Sequence, residues 1–321
     1  MTTDRIVKIL ELAVRAPSTH NSQPWLFKII DNKVEIFFDP KYFLPFADKE
    51  GRDLHISIGC MIQNFEIASL VDNLKSFISY GPFDNKTKLA EITLVELNIK
   101  PDELSQILFE VIPKRVNARG IFRNENIPTN LLEKINSLNN DKEIFIDFFT
   151  NKEDIKKIAG VTALAIKDAY NEKGFRKEMS HWMNSNISNK KEGLPGYSLK
   201  MPLIISFFIP LLIRYFNIGS LLAKLNVRSI SSAPLIVVMS GKDDPSSWME
   251  IGRLAEKMML YIQSLGYQTS IYVGSIEINN NYLKIQELTK RKNRPQFIFT
   301  VGHIPGKHKI TPRHKIEDKM I

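Results

Sequence analysis

Apolar residues recur at helical spacing from the first turn of the chain. Ile6, Ile9, Leu10 and Ala13 share one face, and the helix they predict should stop before Pro17, which drives its predecessor out of helical geometry. WLFKII, an Asp31-Asn32 turn and VEIFFD then read as a hairpin. A long helix is predicted from about Asp53 to Asp72, followed by short apolar strands near 75–80 and 91–98. Later in the chain, EIFIDFF at the 144–149 region, APLIVVMS and QFIFTVG are continuous apolar runs, the pattern of central strands covered on both faces.

Part of the first pattern returns in the second half. Ile58, Met61, Ile62, Phe65, Ala68, Ser69 and Asp72 fall on one helical face; adding 193 gives Ile251, Leu254, Ala255, Met258, Tyr261, Ile262 and Leu265. Gly59 lands on Gly252, and each helix is followed at once by a short strand, KSFISY or QTSIYVG. Two amphipathic helices can match by chance, but the shared glycine and the shared following strand favour a duplicated unit. The chain is therefore expected to form two sheet-and-helix halves, 1–112 and 113–321, joined near residues 100–113. Residues 184–230 form an apolar insertion without a counterpart in the first half.

Composition narrows the class. With 321 residues, 43% of them hydrophobic and 25% charged, a disordered or fibrous chain is excluded. Cys60 is the only cysteine, which excludes an internal disulfide framework and multi-cysteine metal sites and fits a reducing, cytoplasmic setting. The start lacks a charged-then-apolar signal layout, and Asp4 and Glu11 argue against a transit peptide. The uncharged run Pro202–Ile213 has twelve residues with a proline inside and ends at Arg214, whereas a membrane span needs about 20. It reads as a buried or surface-lying helix.

The net charge is +9, and Lys284–Lys319 carries ten basic and three acidic residues, a surplus of seven. That segment lacks the aromatic interleaving of a single-strand binder and any nucleic-acid motif, so no nucleic-acid partner is expected. A solvated face and a phosphate clamp are the readings left open.

Residues 16–25 read APSTHNSQPW. Pro17 forces an extended turn, four small polar residues follow, and Pro24-Trp25 begins a strand; such a turn offers backbone N–H groups and the side chains of Ser18, Thr19, Asn21 and Gln23 to a polar ligand edge. An elaborate helix cap is the alternative. His20 and His55 are possible proton donors, with no metal-ligand partner at usable spacing, so no metal is expected. Arg52 stands in the first turn of a helix, where the dipole disfavours a cation; Asp48 or Asp53 is the expected partner, and a contact with a bound ligand is the alternative. Cys60 lies on an apolar helix face and reads as packing.

APSTHNSQPW resembles the AP-S-x-x-N-x-Q-P-W signature of the nitroreductase family of FMN enzymes. Arg115-Val-Asn-Ala-Arg119 resembles that family's Arg-x-Ser-x-Arg segment, with Asn117 replacing the serine, and SAPLIVVMSGKDD, WMEIGRLAEKMMLYIQSLGYQTSIYVG and FIFTVGHIPGK resemble its C-terminal core in order and spacing. LPFADKEGRDLHISIGCMIQNFEIA is similar to the tandem, Acg-type branch, in which two nitroreductase-like units are fused. The resemblance implies an α+β fold, an intramolecular pseudo-dimer of mixed sheets and long core helices. The loop and the arginine segment occur once each, in opposite halves, which implies one flavin site per chain.

By the same resemblance, Pro17, Ser18, Thr19 and Asn21 would contact the isoalloxazine of FMN, with Gln23 and Trp25 bracing the loop. Arg115, Arg313 and, more loosely, Lys309 would hold the phosphate, Asn117 would reach the ribityl chain or phosphate, and Gly274 would let backbone approach the ring. Arg119 would supply a fixed cation at the edge that gains negative charge on reduction, and His20 a proton. Val273 stands where the family has an acidic residue; Lys224, Asn226 and Arg228 lie before the core strand without forming a motif. NAD(P)H as reductant and a nitroaromatic or quinone as acceptor follow from the resemblance, in a monomer or homodimer. The rivals are a flavin-storage protein with 184–230 as a lid and, less favoured, a reductase touching a membrane surface through 202–213.

Overall fold

The computed structural model describes residues 2–81, 87–98 and 100–321. Helix α1 (Thr3–Ala13) buries the face its spacing predicts, Ile6, Ile9, Leu10 and Ala13. Strands β1 (Trp25–Ile30) and β2 (Lys33–Phe38) form the hairpin, in register from Trp25↔Phe38 to Ile30↔Lys33, with Asp31 at φ +55° in the turn, a conformation aspartate tolerates. Helix α2 (Arg52–Val71) leads to β3 (Leu74–Tyr80) and β4 (Lys88–Glu96), which complete an antiparallel sheet of order β1-β2-β4-β3. One face of this sheet buries Trp25, Phe27, Val34, Ile36, Ala90, Ile92 and Leu94 against α1 and α2. The other carries the exposed Phe77, so the sheet is one-sided. Helix α3 (Glu103–Val111) packs on α2 and closes this half.

The second half begins with α4 (Thr129–Ser137), β5 (Phe145–Phe149) and α5 (Lys152–Asn171). Helix α6 (Lys173–Trp182) leads into the insertion, which contains a short parallel pair β6 (Met183–Asn184) and β7 (Leu194–Pro195), α7 (Leu203–Tyr215) and α8 (Gly219–Ser231). Then come β8 (Leu235–Gly241), α9 (Pro245–Ser264), β9 (Gln268–Ile271), the short α10 (Gly274–Glu277), α11 (Tyr282–Thr289) and β10 (Arg294–Gly302). The sheet order is β5-β8-β10-β9, antiparallel throughout.

Strand β8 is buried at every position and β10 at nearly every one. Leu235, Val237 and Met239 join the core shared with α2 and α9, while Ile236, Val238 and Ile298 pack with Ile155, Ile158 and Ala159 of α5 and Ile285 of α11. These two are the doubly covered strands their apolar runs predict. β5 corrects the third expectation: it lies at the sheet edge, mostly half-buried, and its Asp147 forms a bidentate ion pair with Arg291 at 2.8–2.9 Å. An apolar run does not reveal how many neighbours a strand has.

Between the halves, α2 crosses α9 at glycines. A Cβ on Gly59 would lie 2.0 Å from the Met249 carbonyl oxygen, and one on Gly252 would lie 2.2 Å from the Ile56 carbonyl oxygen. The Cys60 thiol fits the same crossing, 3.2 Å from the Gly252 oxygen. By length and composition α2 could cross a membrane, but here it is mostly buried within the protein. Its N-terminus follows Gly51 (φ +73°) and is capped by Asp48, whose oxygens accept from the Asp53 and Leu54 N–H groups at 3.1 and 2.7 Å. Asp244 caps α9 in the same manner, accepting from Ser247 at 3.0 Å with Pro245 in the first turn.

The chain ends by returning to the first half. Ile321 N–H donates to the Phe27 carbonyl at 2.9 Å, and the Lys319 ammonium donates to the Gln23 carbonyl at 2.8 Å beneath the Tyr42 ring. The basic C-terminal stretch is therefore partly internal: Arg291, Arg294, Arg313 and Lys319 are each spent on protein partners.

Candidate functional site

Backbone conformation shapes the 17–23 loop. After Pro17, Thr19–Asn21 make one tight turn with His20 at φ +53° and Asn21 at φ +56°. Ser18 Oγ accepts from the Gln23 N–H at 2.9 Å, and the Gln23 side chain donates to Lys191 O at 2.7 Å and accepts from His314 N at 2.8 Å. Asn21 Nδ2 lies 3.2–3.3 Å from the carbonyls of Lys191, Gly193 and Pro312, and its Oδ1 accepts from Arg313 at 2.6 Å. The insertion and the C-terminal segment thus hold the loop in place. Gln23 braces it through these bonds and the Asn21 amide is committed to the same task, while Trp25 is buried in the core at the start of β1.

The braced loop forms one wall of a cavity of about 290 Å³, at the lower edge of the ~300–1,000 Å³ usual for small-molecule sites. Pro17, Ser18, Thr19, His20 and Asn21 line it from the first half, with Asp53, Ile56, Ser57 and Cys60 of α2. Facing them are Arg115, Asn117 and Arg119, and the stretch from Ile271 to Gly274. Asn117 pairs with Thr269, and its Oδ1 accepts from Ile271 N at 2.9 Å, which pins the arginine segment to β9. Arg119 donates to Ser270 Oγ at 3.1 Å and Ile271 O at 2.7 Å, and its guanidinium stacks 4.1 Å from the Tyr272 ring centroid. Burial pushes the Tyr272 phenol up, but Arg119 and Ser229 outweigh it and hold it below its usual range. A Cβ on Gly274 would meet nothing within 4 Å, so this backbone borders open cavity space. Leu194, Ser198, Leu199 and Asn226 of the insertion complete the wall.

One end of the cavity is cationic. Arg115 is buried, with Nε 3.0 Å from Glu256 Oε1 and Nη2 donating to Arg15 O at 3.0 Å; its Nη1 is buried without a hydrogen-bond partner among the described residues. Arg313 donates to the Val14, Arg15 and Ala16 carbonyls at 3.0–3.1 Å. Burial, followed by the charges of Arg115 and Arg15, pushes the Arg313 guanidinium down to about 9. Glu256, buried opposite Arg115, is pushed up by burial and held back by that arginine. Three guanidinium groups around one carboxylate leave an excess of positive charge, and the orphaned Arg115 Nη1 is a donor suited to an anion. Lys309 lines the cavity at its exposed side, 5.5 Å from the Tyr197 ring centroid.

Beside the cavity lies a buried acidic group. Arg52 pairs with Glu277, not with Asp48 or Asp53: its Nε and Nη2 lie 2.8 and 2.7 Å from Glu277 Oε1, and its Nη1 donates to Gln296 at 3.1 Å. The expectation from sequence is corrected because α10 of the other half approaches the start of α2, leaving Asp48 to its capping role. Asp53 accepts from Thr19 Oγ1 at 3.3 Å; burial and the neighbouring Asp48 push it up to about 6. His20 is pushed down to about 4 by burial, so its ring is neutral at pH 7 and can donate only a neutral N–H. His55 Nδ1 donates to the Gly51 carbonyl, 2.6 Å away, and the ring lies tilted against Trp248 outside the cavity lining.

Each of the residues singled out from sequence, from Pro17 to Asn21, Arg115, Asn117, Arg119, Gly274, Lys309 and Arg313, reaches this cavity. Sequence reading missed Asp53, Tyr272 and Thr311 as parts of it, and Glu256 and Arg15 as the partners of Arg115 and Arg313 behind its cationic end. Glu256 was detectable as an acid on the apolar stripe of α9, one turn from Gly252; Tyr272 carries no such signal.

No protein-family model matches the sequence. The chain is 31% identical over 114 residues to the Mycobacterium tuberculosis protein Rv3131, provisionally named an NAD(P)H nitroreductase, covering 36% of this chain and 33% of that protein. It is 40% identical over 68 residues to the Acg protein of the same organism, provisionally given the same name, covering 21% of this chain and 20% of that one. Over those segments the chain is similar to proteins named as nitroreductases. It spans about a third of the length of Rv3131 and a fifth of Acg. A longer match, 21% identical, covers 95% of this chain and 90% of the uncharacterized M. tuberculosis protein Rv3127. Among solved structures, the FMN- and NADPH-dependent nitroreductase NfnB of a Sphingopyxis strain matches 66% of this chain and 96% of its own, at 14% identity and TM-score 0.45.

Proposed function

We propose that the cavity holds one FMN and that the protein is an FMN-dependent oxidoreductase, passing reducing equivalents from NAD(P)H to a small acceptor such as a nitroaromatic or a quinone. One observation carries the reading. Pro17–Asn21 of the loop and the 115–119 arginine segment lie in opposite halves, yet they line one cavity whose cationic end contains a buried guanidinium nitrogen without a hydrogen-bond partner among the described residues. A flat heterocycle bearing a phosphate dianion suits a site with cations at one end and an open glycine backbone elsewhere. The two halves then form the intramolecular equivalent of a dimer around a shared site.

When bound, FMN supplies hydride chemistry that no side chain offers. The residues supply position and charge. Arg115 offers its free Nη1 to the phosphate, Lys309 adds a cation from the exposed side, and Arg313 holds the loop by its carbonyls. Arg119, fixed by Ser270, Ile271 and Tyr272, places a permanent cation at the wall that would face the ring edge gaining negative charge. Neutral His20 can orient a substrate through its ring N–H.

A storage role is the second reading. It is favoured by Val273, apolar where the resembled family has an acid, and by Leu194 and Leu199, through which the insertion covers part of the cavity. Anaerobic titration of the purified yellow protein separates the two. Bleaching by NADH or NADPH supports the oxidoreductase; a flavin reduced only by dithionite supports storage.

A further inference from the structure

The insertion exposes an apolar surface that the redox reading does not use. Helix α7 buries only Ser206, Ile209 and Ile213. Along its outer face Ile204, Phe208, Leu211 and Tyr215 are each more than half exposed, at i, i+4, i+7 and i+11. Phe207, Phe216, Leu221 and Leu225 widen the surface across the α7–α8 connection. Contiguous exposed apolar side chains on this scale mark an interaction surface.

Charge decides the partner. From Gly193 to Lys242 the sequence contains no acidic residue, while Lys200, Arg214, Lys224 and Arg228 are all exposed. An isologous contact with a second copy would set this cationic rim against itself. A flat anionic surface with an apolar interior satisfies both the rim and the face. The 13-residue α7 is about 20 Å long, too short to span a bilayer of about 30 Å, and it ends in Arg214. It is anchored to the protein by Ile209 and Ile213, with Pro210 removing the bond to the Ser206 carbonyl.

We propose that the α7–α8 face docks on an anionic lipid bilayer, the apolar side chains entering the interfacial region and Arg214 and Lys224 meeting the headgroups. Helix α8 carries Asn226 on the cavity wall and Leu225 on the exposed face, so the bilayer lies against the helix that bounds the cavity. A lipid-dissolved acceptor would then reach the site from the membrane; that consequence rests on the oxidoreductase reading, whereas docking does not.

Flotation of the full-length protein with vesicles of phosphatidylcholine alone, or of phosphatidylcholine with phosphatidylglycerol, tests the docking whatever the flavin content. The protein is expected to float with the anionic vesicles and to be released by salt. Arg214→Gln and Lys224→Gln should each weaken binding about fivefold, and Ile204→Ser with Phe208→Ser should abolish it without changing the circular dichroism spectrum. Failure to float, or flotation indifferent to the Ile204→Ser/Phe208→Ser pair, overturns the proposal. So does a dimer that those substitutions dissociate in sedimentation without any flotation, which would assign the face to a second copy.

Discussion

Gly59 and Gly252 exchange the same contact across the crossing of α2 and α9: each glycine faces the carbonyl of the residue three before the other, Met249 and Ile56. The two glycines are 193 residues apart, and so are Ile56 and Met249. The reciprocity is that of a local two-fold axis between the helices. It brings Asp53, Ile56, Ser57 and Cys60 of α2 to the cavity whose opposite wall belongs to the second half.

Replacing either glycine should therefore separate the halves. The new methyl would meet a backbone carbonyl, which cannot change rotamer to avoid it. Gly59→Ala or Gly252→Ala should cost about 3 kcal/mol and lower flavin content, read by thermal unfolding and absorbance. Gly160→Ala is the control, on α5 with nothing within 4 Å of the added methyl. It should be neutral or stabilising by up to about 1 kcal/mol.

Arg115 has two duties that substitutions can separate. Arg115→Met leaves Glu256 buried without its cation and should destabilise the fold by about 3–5 kcal/mol. Adding Glu256→Gln removes the stranded charge and should restore most of the melting temperature. It should not restore FMN binding, because the free Nη1 donor is gone. Recovery of full flavin occupancy in the double variant would show that Arg115 is structural only.

The sequence displayed the parts of this arrangement that depend on local spacing. Gly59 and Gly252 stood out because they occupy one place in two helical patterns, and the 16–25 loop because proline and small polar residues punctuate it. Partners distant in the chain were hidden. Arg52 meets Glu277 because α10 reaches the start of α2, and Glu256 meets Arg115 because α9 passes beneath the segment following α3. Hydrophobicity alone also misplaced β5, whose run resembles those of β8 and β10 while its position is at the sheet edge. For α7 it left open whether the apolar residues face inward or outward.

Asp53 makes a prediction about pH. Its carboxyl is raised to about 6 by burial and by Asp48, with Glu277 and Arg52 also facing it. The folded state therefore holds a proton that the unfolded chain releases near pH 4. This contribution to stability is complete below that pH and is lost as pH rises through about 6. The melting temperature of the wild type relative to Asp53→Asn should fall between pH 4 and pH 7, by the equivalent of roughly 2–3 kcal/mol. A difference that does not change with pH would remove the assignment.

The most direct measurement on the central claim is the absorbance spectrum of the purified full-length protein, with the flavin released, identified and counted against the chain. A cavity assembled from two unlike walls predicts a yellow protein carrying one FMN per chain. A colourless protein that takes up no added FMN, or one holding two equivalents, would contradict it.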